Sequence, residues 1–160
     1  MDPIAEARRQ WAAHGWEEAA DGMAAVTSLM RAQQIVLARV EAVLRRYGVT
    51  FARYEVLMLL LFSRRGSLPM AKIGERLQVH PSSVTNSVDR LEAAGLVRRI
   101  PHPTDRRTTL VELLEPGRKL ALQATEDLNA EVFRSPGISP EAVTTLVETL
   151  TELRRTAGDF

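Results

Sequence analysis

Between Pro81 and Ala94 the chain places five short polar side chains, Ser82, Ser83, Thr85, Asn86 and Ser87, in two turns. Val84, Val88 and Leu91 recur among them at three- and four-residue steps, so at helical spacing they share one face and leave the polar groups on the other. An apolar face that anchors a helix and a short polar face that reaches base edges is the division of labour a major groove demands. Asn86 suits a bidentate contact to adenine, and Thr85 suits a thymine methyl or a phosphate. The free N–H groups at Ser82 and Ser83 suit a phosphate at the helix N-terminus. An ordinary surface helix would show the same polar face, so this segment alone leaves both readings open.

A second set of residues lies just downstream. Arg98 and Arg99 lead into Pro101-His102-Pro103-Thr104, and Asp105-Arg106-Arg107 leads out. Two prolines stiffen this tip, so an arginine there is presented with little ordering cost, and a narrow minor groove is where such a side chain finds concentrated negative potential. Asp105 is expected to pair with an arginine and set its direction. From Arg64 to Arg107 nine Arg or Lys, Arg90 among them, stand against four acids, a net +5, while the remainder of the chain is −4. A basic middle on acidic flanks is the footprint of a nucleic-acid surface. A solvated charge cluster, or a docking surface for an acidic partner protein, would carry the same balance.

Other chemistry finds little support. The three histidines, His14, His80 and His102, are far apart and lack ligand spacing, so no metal site is expected. His80, before Pro81, is expected to cap the turn or meet a phosphate. Ser82 and Ser83 do not form a nucleophile elbow, no glycine-rich phosphate loop exists, and no cofactor or enzymatic activity is expected. Cysteine is absent, which excludes disulfides and thiolate zinc sites. No apolar run approaches the ~20 residues of a membrane span, and no leader-like segment follows Met1, so a cytoplasmic protein is expected.

The elements that must position these groups follow from the periodicity. Residues 1–22 read as an amphipathic arm with Ile4, Ala7, Trp11 and Trp16, interrupted by Gly15 and Gly22. A long helix is predicted from Met23 to Tyr47, ended by Gly48, and Thr50 is predicted to cap the next helix. The polar run Ser63–Ser67 breaks that helix. Met70–Leu77 and Pro81–Ala94 are predicted helices around a tight turn at Gln78-Val79-His80. Leu96–Ile100 and Thr108–Leu113 are predicted strands around the proline loop. Arg118–Phe133 is predicted as one helix, and Ser139-Pro140 starts another, whose Val143, Leu146, Val147, Leu150 and Leu153 form a narrow apolar seam. Helix, turn, helix and hairpin make a mainly α chain with a small β-hairpin, a winged helix-turn-helix carrying extra helices at both ends. The expected division is 1–50 as arm and dimerisation helix, 51–115 as DNA-binding lobe and 116–160 as dimerisation helices.

The stretch Val84-Thr85-Asn86-Ser87-Val88-Asp89-Arg90-Leu91-Glu92, then Gly95-Leu96-Val97, then Asp105-Arg106-Arg107, resembles the signature of the MarR (multiple antibiotic resistance regulator) family of bacterial transcription regulators. That resemblance implies a ligand-responsive repressor that binds a pseudo-palindromic operator in double-stranded DNA as a homodimer. It implies that Ser82, Ser83, Thr85 and Asn86 belong to the recognition helix and that Arg107 is the wing arginine reaching the minor groove. The terminal helices, with Trp11, Leu146, Leu150 and Leu153, would build the dimer interface. It also implies a small aromatic or phenolic anion as effector, in a cleft where His14, Arg53 and Tyr54 are the candidate polar groups. The pattern departs from the family at Asn86, where Arg is frequent, at Gln78, where Gly is common, and at Leu114, where Thr often precedes the next helix. The urate-responsive branch pairs an Asp with an Arg where Glu55 and Phe62 stand here, so no urate site is expected.

Overall fold

The structure, a computed structural model, describes residues 1–160. It opens with α1 (Pro3–Ala13), whose first turn is closed by the Asp2 carboxylate accepting the Ile4 N–H at 3.0 Å. The chain then reverses at His14-Gly15-Trp16 into α2 (Glu17–Leu44). Gly22, expected to interrupt the arm, lies inside α2. A lone interior glycine costs roughly 1 kcal/mol against alanine, which the alanine-rich turns around it absorb. The long helix therefore starts six residues earlier than Met23, and its end tightens into a 3-10 turn (Arg45–Tyr47) before Gly48, whose φ of 70° lets the chain turn.

Thr50 caps α3 (Phe51–Phe62), its hydroxyl accepting the Arg53 N–H at 3.3 Å. A strand that the periodicity did not reveal follows: β1 (Ser67–Pro69), three residues long and antiparallel to β3. Next come α4 (Met70–Leu77), α5 (Pro81–Ala93), β2 (Val97–Pro101) and β3 (Thr109–Leu113). The sheet order is β1-β3-β2, so the expected hairpin is a three-stranded sheet with β3 at its centre. Pro101, expected in the loop, ends β2 opposite Thr109. It is tolerated at a strand end on a sheet edge because no ladder donor is needed there.

The helix expected at Arg118–Phe133 begins earlier and changes pitch: α6 (Glu115–Leu128) runs into a π turn (Asn129–Phe133). Leu114 provides no side-chain cap for α6. Ser139 does cap α7 (Pro140–Thr156), its hydroxyl accepting the Ala142 N–H at 3.2 Å. No helix is long and apolar enough to cross a membrane.

One cluster of nineteen buried residues, from Val40 to Val132, joins the end of α2 to α3, α4, α5, the sheet and α6. Leu44, Leu57, Leu60, Ile73, Leu91 and Leu128 are its largest fully buried side chains. α6 sits tightly on the α5–β2 turn: a Cβ at Gly117 would come within 2.2 Å of the Leu96 carbonyl oxygen. The bend between α6 and α7 is held by Arg39 of α2, whose guanidinium donates to the carbonyls of Glu131, Ser135 and Pro136 at 3.3, 2.9 and 2.8 Å.

Candidate nucleic-acid interface

α5 is anchored as its spacing required. Val84, Val88 and Leu91 are buried, while Ser82, Ser83, Thr85, Asn86 and Arg90 are exposed on the opposite side. His80 caps the helix, with Nδ1 accepting the Ser82 N–H at 3.1 Å and lying 2.7 Å from the Ser82 hydroxyl. Thr85 turns its hydroxyl back to the Pro81 carbonyl at 3.1 Å. Between α4 and α5 lies an open groove of about 640 Å³, lined by Met70, Gly74, Gln78, Val79 and Thr85 among others. The α4–α5 turn depends on Gln78, a non-glycine residue at φ 54°, whose side-chain amide donates to the Asp159 carbonyl at 2.6 Å.

The four wing arginines divide into two pairs. Arg98 lies directly across the sheet from Glu112, and its Nε donates to that carboxylate at 2.6 Å. Arg99 is tied more fully. Its backbone N–H donates to Glu92 Oε2 at 2.7 Å, and its guanidinium reaches Glu92 Oε1 at 2.8 Å and Asp89 Oδ1 at 2.5 Å. Its side chain keeps only 27% of its exposure. The hydrogen bond to Asp89 raises the Arg99 pKa, and the backbone N–H of Arg99 leads the groups that hold the Glu92 carboxyl below its ordinary range. Both arginines were expected among the cations facing DNA; the structure binds each to a carboxylate of its own chain.

Arg106 and Arg107 are exposed at the tip, and neither guanidinium has a carboxylate within ion-pair distance. Asp105 does not pair with an arginine side chain, as had been expected. Its carboxylate accepts the Arg107 backbone N–H at 3.0 Å and the Thr108 hydroxyl at 2.8 Å, bonds that lower its pKa. Asp105 thus shapes the turn that carries Arg107 and leaves the guanidinium unengaged. His102, a residue to which the sequence assigned no role, completes this turn: its Nδ1 accepts the N–H groups of Thr104 and Asp105 at 3.2 and 3.0 Å. The X-His-Pro-Thr-Asp spacing was the available signal. Which backbone groups the ring meets depends on the fold of the tip.

Of the residues expected at an effector cleft, Arg53 and Tyr54 are neighbours on α3, and His14 lies on a different element. His14 is exposed in the α1–α2 turn, stacked on Trp16 at 5.6 Å, while Trp11 meets Trp16 edge-on at 5.4 Å. Tyr54 is buried, and its hydroxyl is 2.6 Å from that of Thr125 on α6, which makes it an internal strut rather than a free cleft group. Arg53 is half-buried one residue before it. Glu55, half-buried on the same helix without an ion-pair partner, has its carboxyl pKa raised by burial. No three His, Cys, Asp or Glu side chains assemble as a metal-binding group.

Leu146 and Leu153 of α7 are 46% and 53% exposed, Leu150 is half-buried, and α7 has no buried residue. The apolar seam is thus present and uncovered within the chain.

Known proteins share this fold. The MarR family model matches residues 50–109, which span α3 to the start of β3. Sco5413, a MarR family transcriptional regulator from Streptomyces coelicolor, is 51% identical with a TM-score of 0.79, over 88% of this chain and 97% of that one. Another regulator of that family and organism, Sco3205, solved in complex with DNA, shares the fold at a TM-score of 0.72 and 24% identity, over 82% of this chain and 84% of its own. The HTH-type transcriptional regulator MhqR of Bacillus subtilis (strain 168) is 29% identical over 130 residues, 81% of this chain and 86% of MhqR. With its anchored polar helix, its cationic wing tip and this likeness over nearly the whole of a MarR regulator, the chain belongs to the MarR family: it is a DNA-binding transcription regulator and not an enzyme.

Proposed function

We propose that this regulator acts as a homodimer on a pseudo-palindromic operator, with the two copies of α5 in successive major grooves roughly 34–36 Å apart. One observation carries the reading: Ser82, Ser83, Thr85 and Asn86 stand exposed on a helix whose other face is buried, beside a wing tip whose arginines no internal carboxylate neutralises. Asn86 and its neighbours supply sequence preference, and Arg107, with Arg106 beside it, enters the minor groove. Contacts to phosphates supply most of the affinity and a steep dependence on salt. Residues 51–115 serve as the DNA-binding lobe, and 1–50 and 116–160 join the two subunits through the exposed faces of α2 and α7. Repression is the mode the family resemblance favours, relieved by a small aromatic or phenolic anion that prefers a lobe spacing unsuited to DNA.

The test is binding of the purified protein to its own upstream intergenic DNA and to a scrambled duplex, at two salt concentrations. A preference for the upstream fragment that persists at higher salt supports the reading. Equal, salt-sensitive binding to both would replace it with a non-specific architectural role. Binding to neither would turn the basic surface toward an acidic protein partner.

A further inference from the structure

Arg99 lies on β2, at the base of the wing, and both carboxylates it engages lie on α5, one turn apart. Glu92 is held twice, by the backbone N–H and by the guanidinium of Arg99, which fixes the strand as well as the side chain. Charge-assisted bonds of this kind are short and directional, and here three of them join the helix to the wing strand. The reading helix ends at Ala93 and the tip arginines Arg106 and Arg107 lie beyond Pro101, so the angle between the two reading elements is set at this junction. The surface is also one where acids are otherwise unfavourable, because a carboxylate facing phosphates repels them.

We propose that Arg99 is a positioning residue and not a DNA ligand: with Glu92 and Asp89 it forms a clamp that holds the wing at the angle where Arg107 and the α5 side chains engage DNA together. The proposal rests on the reading of α5 and the wing as the DNA surface. Its consequence runs against simple electrostatics. Removing a negative charge beside DNA ordinarily tightens binding, and if Arg99 itself contacted phosphates, freeing it from its carboxylates would tighten binding further. A clamp requires the opposite.

The experiment measures binding of wild type, Glu92→Gln and Asp89→Asn to the upstream duplex and to the scrambled one. Glu92→Gln keeps an oxygen for the Arg99 N–H, and Asp89 is exposed, so at least the second variant retains the fold; thermal midpoints check both. The expected result is a specific affinity about five- to tenfold weaker for Glu92→Gln and about twofold weaker for Asp89→Asn, with scrambled-duplex binding unchanged or tighter. In an Arg107→Ala background Glu92→Gln should cost less than about twofold, because the clamp acts through the wing. Tighter or equal specific binding by either variant overturns the clamp, as does full additivity with Arg107→Ala. If the wild type itself shows no preference for the upstream duplex, the reading of this surface fails, and the clamp with it.

Discussion

The region from α3 to α6 and the helical arms outside it use the same periodic pattern of apolar residues to opposite effect. In the first, apolar faces meet one another: helices α3, α4 and α5, the sheet and α6 enclose Leu57, Leu60, Ile73, Val88, Leu91 and Val111 at 1% exposure or less. In the arms α1 packs on the start of α2, around Ala20, but most of the remaining apolar surface meets nothing. Before Val40 only Ala20 is buried, while Val26, Leu29, Met30, Ile35 and Val36 of α2 and Leu146, Val147 and Leu153 of α7 lie open. Exposed apolar residues in such number on two helices are the surface from which the proposed association of two chains would be built. The difference teaches that the region from α3 to α6 encloses its own core within one chain, whereas the arms leave apolar faces that nothing in the same chain covers.

The strongest way to break this comparison is a charge in the α7 seam. Leu146→Asp and Leu150→Asp should each cost the assembly roughly 3–5 kcal/mol if that seam is closed by a partner, because a carboxylate would be buried unpaired. Sedimentation at micromolar concentration should then show a monomer whose lobe is still folded. A variant that stays dimeric would move the interface off α7. Within the lobe, Leu57→Ala should lower unfolding free energy by about 2–5 kcal/mol through the cavity it leaves, and by a similar amount at every protein concentration. A cost that depends on concentration would mean the lobe relies on association between chains.

Arg107→Ala touches neither region's packing. It should weaken specific DNA binding by roughly 1–3 kcal/mol and leave thermal stability and oligomeric state as they were. Unchanged affinity would remove the wing tip from the mechanism. The smallest effect belongs to Asp105, whose folded carboxyl titrates below the ordinary carboxylate range. A depressed folded pKa gives a contribution that is fully present above the unfolded value and is lost as pH falls through the folded one. Asp105 should therefore keep its bonds to Arg107 and Thr108 from neutral pH down through the unfolded carboxylate range. It should lose them only in stronger acid, as followed by the amide signals of Arg107 and Thr108. Loosening already at pH 6 would assign the turn to another group.

Much of the chain was legible because its signals are local. Thr50 and Ser139 cap helices, Gly48 and Gly95 end them in the left-handed region, and the Val84, Val88 and Leu91 spacing orients α5. Those features depend on residues within a turn of one another. β1 escaped notice because three residues ending in Pro69 carry no alternation, and only β3 makes them a strand. The π turn after Leu128 likewise leaves no periodic mark.

Of the candidate DNA surface, the amino-acid sequence determined which residues exist to do the work: a short polar helix face, a cluster of arginines and a proline-stiffened tip. Side-chain type and helical period settle those through backbone sterics and burial, which act locally. Tertiary structure alone decided which arginines remain available. Arg98 and Arg106 are the same residue type in the same short segment, yet Glu112 engages one across the sheet and no carboxylate reaches the other. Arg99 is claimed by an acid seven residues away and a second ten residues away, and Tyr54 by Thr125, 71 residues on. An ion pair or buried hydrogen bond forms where the fold brings two groups within about 3 Å, a condition that no property of either residue contains.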